Sequence, residues 1–235
     1  MIRSNADKTA IAIFVKTPGL SRVKTRLGHK VGELNAKKFY ELSLNRIKSE
    51  LEKLKREVGL DKLDIYWAIA EPLNPFHTLY WKDFKFIHQK GDHLGTRISS
   101  VYNQLISAGY SKVMLMGSDS PQLNSKDYEH WYNSKIKDKQ VIMGPAKDGG
   151  FYTLIGSSEI SLNIWEAVNY SQSTTCQQLD KHLVDNGFSI FYLNQQMDID
   201  FYDDLEALKV QLIRSSESSI EQSALLDYIN SVRTN

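Results

Sequence analysis

Short apolar runs alternate along this chain with longer segments whose apolar residues recur every three to four positions. The short runs predict strands at residues 10–16, 63–70, 84–89, 112–117, 140–144, 151–156 and 188–193. The periodic segments predict helices at residues 33–57, 94–108, 124–134, 173–185 and 201–213. This alternation favours an α/β fold, a three-layer sandwich in which helices cover both faces of a mixed, mostly parallel sheet.

The domain organisation follows from the absence of any repeat or linker within residues 1–213, which we expect to form one domain. From Ser215 the chain is rich in serine (SSESS) before a last helical pattern, IEQSALLDYINSV. Residues 214–235 are therefore expected to form an appended helix or a mobile tail.

Charge is balanced over the whole chain but not locally. The 29 basic and 28 acidic residues leave no field for bulk nucleic-acid binding. Basic residues are nevertheless concentrated between positions 22 and 30, at Arg22, Lys24, Arg26, His29 and Lys30. This concentration indicates a local anion site.

The cellular setting is inferred from what the composition lacks. Cys176 is the single cysteine, which excludes an intrachain disulfide and a multi-cysteine metal site. Residues 1–8 have no signal-peptide pattern, and no run of 18 apolar residues occurs. We expect a cytoplasmic protein with no membrane span.

The segment KTPGLSRVKTRL follows the first predicted strand and carries the cations Lys16, Arg22, Lys24 and Arg26 around a turn. Such cations, together with free backbone N–H groups, can bind a diphosphate or triphosphate. The alternative is a solvated basic loop.

Two common nucleotide-binding motifs do not fit this chain. GLSRVKT lacks the glycine and the spacing of a P-loop, and no G-x-G-x-x-G fingerprint is present. A P-loop NTPase and a dinucleotide dehydrogenase are therefore both disfavoured.

Carboxylates follow three other predicted strands. Asp119 comes directly after strand 112–117, where it could hold Mg²⁺ or Mn²⁺ bridged to phosphate, or could instead cap the next helix. Asp148 precedes Gly149 and Gly150, which permit close approach of a ligand. Asp148 could act as a base or bind sugar hydroxyls, or the segment could be only a turn between two strands.

The segment MDIDFYDDL places Asp198 and Asp200 two positions apart after the last predicted strand. We expect their side chains to point to opposite sides, so that only one meets the metal held by Asp119. Asp203 and Asp204 are expected to begin the next helix, where their charge offsets the helix dipole.

Five segments in the same order, VKTPGLSRVKTRL, QKGDHLGTRI, MGSDSPQL, GPAKDGGFYTLIG and DIDFYDDL, resemble an uncharacterised family of bacterial glycosyltransferases (DUF2064-like). The resemblance covers about residues 10–210 and implies the GT-A-like nucleotide-diphospho-sugar transferase fold. Relatives with that fold include guanylyltransferases and sugar-nucleotide pyrophosphorylases.

The resemblance also implies roles for individual residues. Lys24 and Arg26 would bind phosphate, Asp119 would hold the metal, and Asp200 would be its second carboxylate. The loop GDHLG would lie near the base or substrate, and its contributors are Gly91, Asp92 and the nearby Arg97.

Three positions depart from the family pattern. Ser21 replaces a glycine of the basic loop, Phe201 and Tyr202 replace a Thr-Pro pair, and YSQSTT (170–175) stands where a Trp-Ser pair is common. The last departure leaves the acceptor side undefined.

These observations together predict a metal-dependent transferase that uses a nucleotide sugar or a nucleoside triphosphate. Glycosyl transfer is the first interpretation, supported by the family resemblance. Nucleotidyl transfer of the guanylyltransferase type is an alternative, and a non-catalytic nucleotide-binding domain is another.

Overall fold

A computed structural model of the chain describes residues 5–215 and 218–234. Within them, one sheet has the strand order β3-β2-β1-β4-β6-β5-β7. The strands are β1 (Thr9–Val15), β2 (Leu63–Ile69), β3 (Lys85–His88), β4 (Lys112–Met116), β5 (Gln140–Pro145), β6 (Phe151–Gly156) and β7 (Ser189–Tyr192). The seven strands expected from the apolar runs are confirmed, with small shifts at their ends.

The direction of the strands decides where their loops meet. β1 pairs in parallel with β2 and β4, β2 with β3, and β5 with β7. β6 is antiparallel to both of its neighbours, β4 and β5. The carboxyl ends of β1, β4, β5 and β7 therefore lie at one edge of a mostly parallel sheet.

Helices cover both faces of this sheet. They are α1 (Thr25–Val31), α2 (Glu33–Val58), α3 (Pro75–Tyr80), α4 (Leu94–Ser107), α5 (Ser125–Asn133), α6 (Leu162–Glu166), α7 (Thr175–Asp185), α8 (Asp204–Arg214) and α9 (Ile220–Ser231). Separate apolar clusters fill the space on the two faces, so the three-layer α/β sandwich is confirmed.

Three short helices, α1, α3 and α6, were not expected from the sequence. Each has seven residues or fewer, too short to show helical periodicity. The consequence for the site is that the basic segment is not all loop. Arg26 lies in the first turn of α1, and Lys24 is the residue that caps it.

The long helix α2 packs one face on the sheet. Its buried residues recur at three- and four-residue intervals, as expected, although Leu34 is mostly exposed instead of belonging to this stripe. Gly59 ends the helix in a left-handed conformation (φ 107°). Tyr40, Arg46 and Glu50, along the middle of α2, contact the loops that follow β1 and β4.

A third apolar cluster, here called the C-terminal cluster, joins both ends of the chain. It contains buried residues of α1, α2, α8, α9 and the segment before α8, among them Leu27, Phe39, Ile199, Leu225 and Tyr228. The last helical pattern is thus a packed helix. Ser216 and Glu217 of the serine-rich segment lie outside the described residues, and the predicted domain boundary at residue 213 stays a prediction.

The length and composition of the helices also bear on membrane crossing. Within the described residues, no helix combines the length and apolar composition that a membrane span requires.

Candidate functional site

Four segments meet at the carboxyl edge of the sheet. They follow β1, β4, β5 and β7, and they include the basic segment and the three acidic segments singled out in the sequence. Parallel strands produce this meeting because their carboxyl ends share one edge, where α/β folds bind ligands. The contacts between their side chains define the candidate site.

Lys24 lies at the centre of the cluster. Its backbone is left-handed (φ 47°, ψ 46°), a strained conformation for a residue with a side chain. The side chain is only 3% exposed, and its Nζ lies 2.5 Å from Asp119 Oδ1 and 3.3 Å from Asp200 Oδ1. Nζ also donates to the Ile199 carbonyl at 2.6 Å. One ammonium thus joins the first acidic segment to the third.

The charge of Lys24 is secured by these partners. Burial by itself lowers the pKa of the ammonium, but the attraction of Asp119 and Asp200 outweighs it and holds the pKa above its ordinary value. Lys24 is therefore a permanent cation in the neutral pH range.

Arg26 adds a second cation next to Asp200. Its Nη1 lies 2.9 Å from Asp200 Oδ2, and its guanidinium carbon lies 5.4 Å from the centre of the Phe201 ring. Both oxygens of Asp200 are thus engaged by cations, one by Lys24 and one by Arg26. Phe201, where the family has a different residue pair, forms one side of the Arg26 environment.

Asp198 faces the site, so the expectation that it points away is wrong. Its Oδ1 accepts a hydrogen bond from Ser120 Oγ at 3.2 Å. Residues two apart in an extended segment share a face, and the flanking Met197 and Ile199 are buried in the C-terminal cluster. Asp198 and Asp200 consequently both point out of that cluster.

The environment of Asp198 is electrostatically unusual. Burial raises the pKa of this carboxyl to about 7, and the negative charges of Asp119 and Asp148 contribute in the same direction. Lys24 and the Ser120 hydrogen bond oppose the shift but do not cancel it. The carboxylates of all three acidic segments therefore influence one another.

Asp119 extends from a buried polar loop. Its carbonyl accepts from Ile199 N at 3.0 Å, while its side chain is 45% exposed. The alternative that Asp119 caps the next helix is wrong, because the Asn124 side chain caps α5 by accepting from Lys126 N and Asp127 N. The Asp119 carboxylate is thus available to a ligand as well as to Lys24.

Asp148 occupies the tight connection between β5 and β6, so the segment is indeed a turn. Its Oδ1 accepts from Gly150 N at 2.8 Å, and its side chain is exposed. Gly149 has a φ of 90°, and an added Cβ would lie 2.0 Å from the Ser173 carbonyl oxygen. Only glycine fits this position, which brings the 170–175 segment against the turn. A turn and a ligand site are compatible here.

The remaining predicted site residues have no described side-chain contact with Lys24 or with the carboxylates of the three acidic segments. Lys16 is exposed, and Arg22 is mostly exposed with its Nη2 3.7 Å from Glu33 Oε1. Arg97 Nε donates to the Gly91 carbonyl at 2.9 Å, next to Asp92 at the carboxyl end of β3. Their roles in phosphate and substrate binding stay predictions.

Two further residues, Tyr40 and Glu71, hold the basic segment in place. The Tyr40 hydroxyl accepts from Lys16 N at 3.0 Å and donates to the Lys16 carbonyl at 3.1 Å. Glu71 Oε2 accepts from Thr17 N at 2.8 Å. Neither residue was predictable as part of the site. Tyr40 lies in the apolar stripe of a helix, which is typical of a core residue, and Glu71 belongs to no recognisable motif after β2.

Across residues 5–215 and 218–234, no group of three or more His, Cys, Asp or Glu side chains is arranged to hold a metal ion.

Residues 55–172, half of the chain, match the protein family described as "Uncharacterized protein conserved in bacteria (DUF2064)". The chain belongs to this family. The match includes the segments that carry Asp92, Asp119 and Asp148. A search of curated proteins gives no match.

Solved structures extend the comparison over nearly the whole chain. A protein from Desulfovibrio desulfuricans G20, described as a "putative nucleotide-diphospho-sugar transferase", superposes with a TM-score of 0.80 at 23% identity, covering 94% of this chain and 96% of that one. A 4-diphosphocytidyl-2C-methyl-D-erythritol synthase from Anaerococcus prevotii DSM 20548 superposes with a TM-score of 0.53 at 12% identity, covering 88% and 97%. This member of the DUF2064 family therefore has the nucleotide-diphospho-sugar transferase fold.

Proposed function

We propose that the protein is a metal-dependent transferase whose substrate is a nucleotide sugar or a nucleoside triphosphate. The observation that supports this proposal is the meeting of Lys24 and Arg26 with the carboxylates of Asp119, Asp198 and Asp200 at the carboxyl edge of the sheet. Cations bind phosphate oxygens, and carboxylates hold the divalent ions that accompany nucleotides. The fold shared with a nucleotide-diphospho-sugar transferase supports the same substrate class.

The acidic residues fit a hard divalent cation such as Mg²⁺ or Mn²⁺. Burial and acidic neighbours raise the pKa of Asp198 to about 7, so a bound cation would stabilise the ionised form of this carboxyl. Mg²⁺ commonly takes one or two protein carboxylates, with phosphate and water as its other ligands. We assign Asp119 and Asp198 as the protein ligands.

Asp200 has a different role in this proposal. Its two oxygens are engaged by Lys24 and Arg26, so it anchors the cations that would bind phosphate. The assignment of Asp200 as the second metal ligand, made from the family resemblance, is the alternative. Variants that separate the two are considered in the Discussion.

In glycosyl transfer, the bond between the anomeric carbon and the diphosphate breaks, and an acceptor hydroxyl oxygen forms the new bond. The bound ion would neutralise charge that develops on the departing nucleoside diphosphate. Lys24 and Arg26 would add fixed positive charge there. The hydroxyl proton would pass to a carboxylate, and Asp148 is our candidate because it is exposed beside Gly149 and Gly150.

Nucleotidyl transfer is the second candidate, and the cationic basic segment favours it. The exposed Lys16 and Arg22 could add to Lys24 and Arg26, which suits the greater charge of a triphosphate. An acceptor phosphate oxygen would attack the α-phosphorus, and pyrophosphate would leave. Since a phosphate monoester is already ionised, this reaction would not need Asp148 as a base.

The identity of the released phosphate separates these reactions. We expect incubation with Mn²⁺ and a panel of nucleotide sugars, or of nucleoside triphosphates with sugar 1-phosphates, to release a product visible by ³¹P NMR. A nucleoside diphosphate indicates glycosyl transfer, and pyrophosphate indicates nucleotidyl transfer. Nucleotide binding in thermal-shift assays without any turnover would contradict the proposal and favour a non-catalytic nucleotide-binding domain.

Replacing Lys24 by Ala should weaken binding of inorganic pyrophosphate by about tenfold or more, because a charge-assisted hydrogen bond to phosphate is lost. The melting temperature should also fall, since the buried ammonium bridges Asp119 and Asp200. Calorimetric titration in EDTA measures the first effect without a metal. Lys62→Ala, which removes an exposed cation just before β2 at the opposite edge of the sheet, is the matched control. Unchanged pyrophosphate affinity in folded Lys24→Ala would remove Lys24 from the phosphate site.

A further inference from the structure

We propose that Arg46, together with Glu50, positions the loop that carries Asp119. These two residues of α2 touch no proposed substrate group, and they act through the backbone of the segment between β4 and α5. The inference rests on the proposed function only in its consequence, that a correctly placed Asp119 binds the metal ion. The placement itself is a property of the metal-free protein.

Arg46 is fully buried and points from α2 to the Asp119 loop. Its Nε donates to the Pro121 carbonyl at 2.8 Å, two residues after Asp119. Its Nη1 lies 3.1 Å from Glu50 Oε1 and 3.5 Å from Ser219 Oγ, at the start of α9. The guanidinium is thus fixed by one turn of its own helix while it holds the loop.

Glu50 holds the other end of the same loop. Its Oε2 accepts from Ser125 N, the first residue of α5, at 2.9 Å. The side chain is 5% exposed, so this contact is shielded from water. Arg46 and Glu50 therefore grip the segment on both sides, at Pro121 and at Ser125.

The gripped segment is polar and buried, which is why it needs such partners. Ser118, Ser120, Gln122 and Ser125 are each less than a tenth exposed. Leu123 of this segment packs in the apolar core, but the conformation of the polar residues before it depends on hydrogen bonds. Ile199 N and Gln122 Nε2 bond this loop to the segment before α8, and the α2 contacts restrict its conformation further on the opposite side.

Stability alone does not account for this ion pair. Charged residues at buried positions of a helix are costly, and apolar residues of similar size often stabilise a protein as well or better. Arg46 Nη2 also has no hydrogen-bond partner within the described parts of the chain, which adds to the cost.

The same helix holds the basic segment. Tyr40, on the buried side of α2, bonds to both backbone polar groups of Lys16. α2 is thus a rigid frame that contacts the loop after β1 through Tyr40 and the loop after β4 through Arg46. It sets the separation between the proposed phosphate-binding and metal-binding groups.

The test uses Arg46→Met combined with Glu50→Leu, since removing one charge alone would leave the other buried and unpaired. Lys37→Met combined with Glu41→Leu removes an exposed pair with the same spacing on α2 and is the matched control. Three quantities are measured. Hydrogen exchange of the backbone amides in 118–125 is followed on metal-free protein. Mn²⁺ affinity is measured by EPR, and pyrophosphate affinity is measured in EDTA. Thermal unfolding verifies that each variant is folded.

We expect the Arg46/Glu50 variant to bind Mn²⁺ 10- to 100-fold more weakly, the range typical of groups that orient a metal ligand. Exchange of amides 118–125 should be faster by about tenfold or more, while that of β1 is unchanged. Pyrophosphate affinity should stay within about twofold, because Lys24 keeps its contacts with Asp200 and the Ile199 carbonyl. The melting temperature should change little, because the two lost loop hydrogen bonds and the removed cost of burying two charges oppose each other. Arg46→Lys, which keeps a charge beside Glu50, should show an intermediate Mn²⁺ affinity.

Other results would overturn the inference. Unchanged exchange in residues 118–125 would show that α2 does not hold the loop. Equal losses of Mn²⁺ and pyrophosphate affinity with a lower melting temperature would show a general structural role. If the unaltered protein binds no Mn²⁺, the proposed function fails, and the exchange result alone then decides whether Arg46 positions the loop.

Discussion

Asp119→Asn should lower Mn²⁺ affinity by more than about a hundredfold, the largest effect that we expect from a single substitution. Asparagine keeps the shape of the side chain but removes the negative charge that a divalent ion needs. Nucleotide binding should then become the same in Mn²⁺ and in EDTA, as measured by calorimetry. Stability should fall modestly, because the buried Lys24 ammonium loses one of its two carboxylate partners and keeps Asp200, while the Asp119 side chain itself is 45% exposed.

The control for Asp119→Asn is Asp7→Asn, an exposed residue just before β1 at the opposite edge of the sheet. It should bind Mn²⁺ and nucleotide like the unaltered protein. Metal-dependent nucleotide binding that survives in folded Asp119→Asn would exclude Asp119 as a ligand and would contradict the proposed site.

Asp198→Asn should stabilise the metal-free protein at pH 8 while removing its response to Mn²⁺. The pKa of Asp198 is raised to about 7 in the folded state by burial and by neighbouring carboxylates, well above its value in an unfolded chain. Ionising this group therefore costs the folded state free energy, and the cost grows as the pH rises from about 4 to 7. Asparagine does not ionise, so the variant should gain roughly 2–4 kcal/mol of unfolding free energy at pH 8 and almost none at pH 4.

Urea denaturation in EDTA at both pH values measures this gain. Asp200→Asn should behave oppositely at pH 8, losing stability because its ion pairs with Lys24 and Arg26 are broken. If Asp200→Asn abolishes Mn²⁺ binding while Asp198→Asn retains it, the second metal ligand is Asp200, as the family resemblance implies.

The fold was predictable because its strongest signals are local. The sequence of β4, KVMLM, is apolar at four of five positions, as a strand covered on both faces must be. Asn124 has a short polar side chain at the start of the predicted helix 124–134, and in the structure this side chain caps α5. α1 had no such signal, since TRLGHKV contains a glycine and only two buried apolar residues.

The candidate site was less predictable because its contacts depend on the third dimension. The Lys24 contacts with Asp119 and Asp200 join positions almost a hundred residues or more apart, and no spacing rule gives them. The error on Asp198 was local and avoidable, since alternation places residues two apart on one face. Arg46 and Glu50 did give a weak signal in the sequence, because both charges fall at positions of the apolar stripe of α2. Charged pairs at this spacing usually lie on the solvated face of a helix, so the signal was not decisive.

The C-terminal cluster has a consequence for synthesis of the protein. Leu27 and Phe39 leave the ribosome early, yet the side chains that cover them, including Leu225 and Tyr228, are translated nearly two hundred residues later. For most of translation these apolar groups are exposed and available to chaperones. α2, which carries Phe39 and bonds to the basic segment through Tyr40, packs fully only after α9 has emerged.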